Sequence, residues 1–232
     1  ALDLLEALER NAPLPARGET LRGGGLGAAA FCPRGSASIK RVRRGYYSVG
    51  PSTKPRSVSE DADVDVRRDE VLCEAGHYCV SGIRRPCPAG RFGASSGLDN
   101  ARCSGPCAPG YYCPVGSSSK NEYACGGPEV YCPVGSGEPY PVGAGNYSSV
   151  DIDEYENEDG TLVPASTNMA STVAADARAS QRICEPGYFC EGGVRRPCPA
   201  GHYGSDRGLS ARTCNGKCPP GMWCAERSTA AL

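Results

Sequence analysis

The chain has 232 residues and a net charge of -1, with 15 Cys, 31 Gly and 20 Pro beside only 3 Phe, 1 Trp and 2 Met. That composition excludes a large conventional apolar core, and the near-neutral charge argues against a nucleic-acid partner. No apolar run approaches the roughly 18 residues of a membrane span, and neither an initiator Met nor a signal-peptide pattern is present, so an export signal is expected upstream.

Residues 1–10, ALDLLEALER, place Leu2, Leu5 and Leu8 three apart with charges opposite, which predicts a short helix stopped by Asn11 and Pro13. So short a helix needs a partner surface. Residues 11–30 are rich in Pro, Arg and Gly and read as a linker, so 1–30 form an N-terminal helix and linker. FCPRGS at 31–36 then matches YCPVGS at 131–136, and GYYS at 45–48 matches GNYS at 145–148. Residues 31–48 therefore read as the end of a preceding cysteine-rich unit. The partner that Cys125 implies for Cys32 falls at Gly25, which leaves Cys32 unpaired within the segment or open to another chain.

Residues 49–72 form a Cys-free insert. A longer one, 149–183, is rich in Ser and Thr and opens with Asp151, Asp153, Glu154, Glu156, Glu158 and Asp159. An EF-hand loop is excluded because its twelfth position would be Leu162, where a bidentate Glu is required, so a solvated spacer is expected.

Cys73 to Cys113 returns as Cys184 to Cys224, with all six cysteines coincident and about half the positions identical. A fixed period marks one supersecondary unit strung into an array. Residues 73–148 hold a complete eight-cysteine unit: Cys73, Cys79, Cys87, Cys103, Cys107, Cys113, Cys125 and Cys132. Residues 184–232 hold a second, truncated one: Cys184, Cys190, Cys198, Cys214, Cys218 and Cys224.

Units this small need a covalent or coordinated restraint, because ordering costs roughly 1.5 kcal/mol per residue. Zinc is disfavoured by the C-x5-C, C-x7-C, C-x15-C and C-x3-C spacings, and by histidines that do not recur, since His77 aligns with Tyr188 and His202 with Arg91. Disulfides are expected instead, and with them an extracellular or cell-surface location reached by the secretory pathway. Eight cysteines allow 105 connectivities. The C-P-A-G stretches and the Gly-Leu pairs that follow favour Cys87–Cys103 and Cys198–Cys214, each closing a short hairpin.

C-x2-G-x-aromatic-C occurs four times. Its Gly suits a type II turn, and its aromatic residue (Tyr78, Tyr112, Phe189, Trp223) is expected to pack on a disulfide. A row of exposed aromatic residues binding carbohydrate is the functional alternative. Arg84-Arg85 and Arg195-Arg196 recur, which points to stacking on a Tyr or bonds to loop carbonyls, with a basic patch for an anionic polysaccharide as the sharper reading. The basic stretch Lys40, Arg41, Arg43 and Arg44 lies at the module end that matches the one before the acidic run, a pattern that would guide packing between chains. Asn146-Tyr147-Ser148 is an N-glycosylation acceptor.

On these cysteines, with C-x2-G-Y-Y-C and C-P-A-G, the sequence resembles the ephrin-receptor-type cysteine-rich repeat, a relative of EGF-like and TNF-receptor-like modules. The resemblance covers roughly 32–148 and 184–232 and is closest to very large surface and appendage proteins of protists and algae. It implies small disulfide-rich repeats with short β-hairpins and turns, little regular secondary structure and an elongated tandem array. It also implies no catalysis. No Ser/His/Asp set, phosphate loop or paired-acid site recurs, so neither a catalytic residue, a metal nor a cofactor is expected. The expected function is a structural segment of a secreted glycoprotein in an extracellular filament, wall or appendage, with neighbouring copies of the same or related chains and glycans as partners. A ligand-binding or adhesion ectodomain of a surface receptor is the alternative.

Overall fold

A computed structural model describes residues 28–50, 67–150 and 176–232, with the backbone of two further short strands at 155–156 and 162–163. The helix expected over 1–10, most of the linker, Gly25, and the acidic run 151–159 beyond those strands lie outside the described residues. The described chain contains no helix and consists of short two-stranded β pairs and turns held by seven disulfides, a small disulfide-rich hairpin fold. Among the described residues no helix is long and apolar enough to cross a membrane.

The strands come in matching sets. In the first copy β1 (Ala30–Phe31) pairs with β2 (Lys40–Arg41), β3 (Tyr46–Val49) with β4 (Asp69–Leu72), β5 (His77–Val80) with β6 (Ile83–Pro86), and β7 (Arg91–Phe92) with β8 (Gly105–Pro106). Next, β9 (Tyr111–Tyr112) pairs with β10 (Tyr123–Ala124). The series then restarts: β11 (Val130–Tyr131) pairs with β12 (Tyr140–Pro141), and β13 (Asn146–Ser149) with β16 (Ser180–Ile183), with β14 (Tyr155–Glu156) and β15 (Leu162–Val163) paired between them. Finally β17 (Tyr188–Glu191) pairs with β18 (Val194–Pro197), and β19 (His202–Tyr203) with β20 (Gly216–Lys217).

The β3–β4 and β13–β16 ladders each join the two ends of a Cys-free insert. Tyr46 stands opposite Leu72 and Asn146 opposite Ile183, four antiparallel pairs in each case. The inserts are therefore excursions from the tip of a hairpin. The extra residues of the second one enter where a ladder does not notice them, because loop length adds only slowly to closure entropy.

The chain divides into two compact units, one of residues 1–88, 92–105 and 115–119, the other of 89–91, 106–114 and 120–232. Within the first, Tyr47 packs with Cys73 and Cys79 as a small core edged by Val49. Among the described residues, half-cystines supply all but one of the largest fully buried side chains, the exception being Ser136. Cystine sulfur thus takes the place that Leu and Phe hold in larger proteins.

Backbone packing is equally specific. Gly45 and Gly145 have φ of 74° and 73°. A Cβ on either would overlap a backbone carbonyl oxygen, that of Gly97 in the first copy and of Gly208 in the second. By contrast Gly192 (φ 57°) has open space where a Cβ would go, and its counterpart in the first copy is Ser81, at φ 50°. Gly145→Ala should therefore destabilise the second unit by at least ~2 kcal/mol, since a left-handed Cβ penalty adds to a collision that only backbone movement relieves. Gly192→Ser should cost no more than about 1 kcal/mol. Denaturant unfolding with the disulfides intact measures both, and equal losses would contradict the packing described.

Candidate functional site

The fourteen cysteines of the two copies pair as nearest neighbours in sequence. Cys73–Cys79, Cys107–Cys113, Cys184–Cys190 and Cys218–Cys224 close the four C-x2-G-x-aromatic-C motifs, each over a separation of 6. Cys87–Cys103 and Cys198–Cys214, the two pairs that the C-P-A-G stretches favour, span 16, and Cys125–Cys132 spans 7. Loop closure of this kind contributes about 3 kcal/mol for the longer spans and roughly 2 for the shorter. Sequence reasoning missed the closure of the C-x5-C motif on itself, because that spacing alone does not distinguish it from closure on a neighbour.

Cys32 is the one free cysteine among the described residues, and it is half-buried. Its backbone N–H donates to the carbonyl of Arg67 at 2.9 Å, as that of Cys132 does to Arg178 at 2.8 Å. Cys32 therefore occupies the slot of a bridged cysteine.

Above this framework sits a recurring polar cluster. In the second copy Glu185 Oε1 accepts from the Tyr147 hydroxyl at 3.1 Å and from the Arg195 guanidinium at 3.1 Å. The same guanidinium lies over the Tyr188 ring at 4.5 Å and the Tyr147 ring at 5.5 Å, and Arg227 lies over Tyr188 at 5.0 Å. In the first copy Arg84 Nε donates to Glu74 Oε1 at 2.5 Å, with His77 in the place of Tyr188 and its Nδ1 3.7 Å from the same oxygen. A carboxylate holds the first arginine of each pair against its unit, and cation–π contact with two tyrosine rings adds to this at Arg195. Arg85 and Arg196, the second of each pair, are exposed. Stacking on Tyr, one of the two roles that the recurrence of Arg-Arg suggested, is found at Arg195. The carboxylate partner was missed, though Glu follows the first Cys in both copies.

A second recurring group lies beside β3 and β13. Ser48 Oγ donates to the carbonyl of Ala28 at 2.7 Å and Ser148 Oγ to that of Pro128 at 2.6 Å, while Arg67 and Arg178 donate to the carbonyls of Ser48 and Ser148. Ser148, the hydroxyl residue of the glycosylation acceptor, thus has the same structural duty as Ser48, whose copy carries Tyr46 in place of the Asn. Asn146 itself is half-buried at the start of β13, and its Nδ2 donates to the carbonyls of Gly143 and Ala144 at 3.4 and 3.3 Å.

The four motif aromatic residues differ in cover. Phe189 is buried, Tyr78 is partly so, and Tyr112 stacks with Tyr123 at 5.4 Å, whereas Trp223 is 64% exposed. Among the described residues no group of three or more His, Cys, Asp and Glu side chains is arranged to hold a metal ion.

These features define a small cystine-rich hairpin module of the kind found in oxidising, extracellular settings. No protein-family model matches the chain, and no curated protein matches it either.

The cluster is pH-sensitive at both ends. Burial opposes ionisation of Glu185, but hydrogen bonds from its own backbone, Tyr147 and Arg195 outweigh it and hold the carboxyl below its ordinary value. Burial, then the Glu185 hydrogen bond and its charge, push the Tyr147 phenol up. Glu185 contributes stability above the ordinary carboxylate range that is lost as pH falls through its lowered pKa. Tyr147 contributes stability that is lost as pH rises through its raised one. Glu185→Gln should flatten the acid limb of the stability profile, and carboxyl NMR should show Glu185 titrating below the ordinary glutamate value. Titration at an ordinary value would contradict the cluster.

Proposed function

We propose that the chain is a structural, non-catalytic segment of a secreted glycoprotein, one that builds an extracellular filament, wall or cell-surface appendage from tandem modules of the ephrin-receptor-like kind. The observation that carries this reading is where the recurring polar side chains go. Glu74 and Glu185, Arg84 and Arg195, Ser48 and Ser148, and Arg67 and Arg178 are all bonded within the scaffold. What the repeat preserves is therefore shape. Cystine-closed loops support that role, because a strut outside the cell must hold its form without a large core. Asn146 is the proposed glycan acceptor, at the start of the second copy's insert-bearing hairpin.

Negative-stain microscopy and sedimentation of the native, exported protein test this reading. Filaments, sheets or other high-order assemblies are expected, with an N-glycan on the peptide that contains Asn146. A discrete monomer at all concentrations would contradict the structural role, and an unmodified Asn146 would contradict the glycan.

A further inference from the structure

The first unit contains a cleft of about 400 Å3 between the β1–β2 hairpin end and the β5–β6 turn. Its polar wall is made by Arg41, Arg43, Arg44, Ser81, Asp99 and Asn100, and its base by Val42, Cys79 and Gly82. Two of the guanidinium groups are positioned from the sides. Arg43 bonds to Glu70 through both its backbone N–H and its Nε, and stacks over the Tyr46 ring at 4.0 Å. Arg44 stands 3.9 Å from Asp99, with its side chain 94% exposed.

The second copy supplies an internal comparison. Its sequence keeps the base, as Val142, Cys190 and Gly193, but replaces the polar wall. Arg41, Arg43 and Arg44 become Pro141, Gly143 and Ala144, while Ser81, Asp99 and Asn100 become Gly192, Ser210 and Ala211. Two neutral positions that line the first cleft, Ala29 and Val80, become Glu129 and Glu191. On one scaffold, the side chains of one face have gone from basic to acidic. Folding does not require the arginines at 41, 43 and 44, because the corresponding β11–β12 hairpin forms without them.

Three guanidinium groups line this face, Arg43 steadied by Glu70 and Arg44 3.9 Å from Asp99, and planar guanidinium groups bind oxyanions in a bidentate manner. The wall carries no aromatic ring, so it offers no stacking platform for nucleic-acid bases. Its exposure suits a polymer running past more than an enclosed small molecule. In the oxidising setting that the disulfides imply, acidic polysaccharides are the polymers that present such groups repeatedly. We propose that this cleft binds an anionic polysaccharide through its sulfate or carboxylate groups, held by Arg41, Arg43 and Arg44 with Ser81 and Asn100 as neutral donors, and that the corresponding face of the second copy does not. Individually such exposed contacts are weak and salt-screened, and a polymer gains from engaging several chains at once.

The experiment uses the 232-residue chain with dextran sulfate, polygalacturonate and neutral dextran as immobilised probes. It reads binding by single chains, so its outcome is independent of whether the protein assembles. Binding to at least one charged polymer, none to dextran, and steep loss between about 0.05 and 0.5 M salt are expected. The preferred polymer tells sulfate from carboxylate. Arg41→Gln with Arg44→Gln should weaken binding about tenfold, whereas Arg207→Gln with Arg212→Gln, an equal charge loss in the second copy, should leave it unchanged. Circular dichroism and thiol titration confirm that both variants keep the fold. Equal weakening by the two pairs, or no binding to either charged polymer at low salt, would overturn the proposal.

Discussion

Cystine sulfur does two jobs in this chain, and everything else depends on both being done at once. Among the described residues it is the largest fully buried apolar material, in a sequence with only 3 Phe, 1 Trp and 2 Met. It is also the restraint that lowers the entropy of an unfolded chain too poor in apolar groups to collapse by itself. Because the pairs are nearest neighbours, each loop is closed on its own terms. Cys73–Cys79 fixes a turn, Cys87–Cys103 fixes the β7–β8 region, and neither needs a distant partner to form. Local closure is what lets a module be copied, or extended at a hairpin tip, without disturbing the rest.

The two copies separate what the scaffold requires from what it tolerates. Gly45 against Gly97 and Gly145 against Gly208, the Ser–carbonyl bonds under β3 and β13, and the Arg–Glu pairs at Glu74 and Glu185 are kept. The hairpin rims are not, as Lys40 to Arg44 against Tyr140 to Ala144 shows. A fixed frame with a variable rim is the division of labour expected when function resides in exposed side chains placed by a rigid support.

The parts of this architecture that were legible in the sequence are those in which one residue type has one physical meaning. Cys, Gly and Pro at repeated spacings marked the repeat, the turns and the two longer loops, because few other residues do those jobs. What was not legible needed contacts between segments. Nothing in C-x5-C alone distinguishes closure on itself from closure on a neighbour. The Glu185 carboxylate meets Tyr147 only because β13 and β16 pair across an insert whose length differs between the copies. The motif aromatic residues looked alike, yet Phe189 is buried and Trp223 exposed, since cover is supplied by residues outside the motif. The short N-terminal helix pattern lies outside the described residues.

The fold rests on seven nearest-neighbour disulfides. Mass spectrometric mapping of peptides from the unreduced protein, after alkylation of free thiols, tests it most directly. Links Cys73–Cys79, Cys87–Cys103, Cys107–Cys113, Cys125–Cys132, Cys184–Cys190, Cys198–Cys214 and Cys218–Cys224 are expected, with Cys32 alkylated in the monomer. A link that skips a neighbour, such as Cys73 to Cys87, or one that draws Cys32 into either copy, would contradict it.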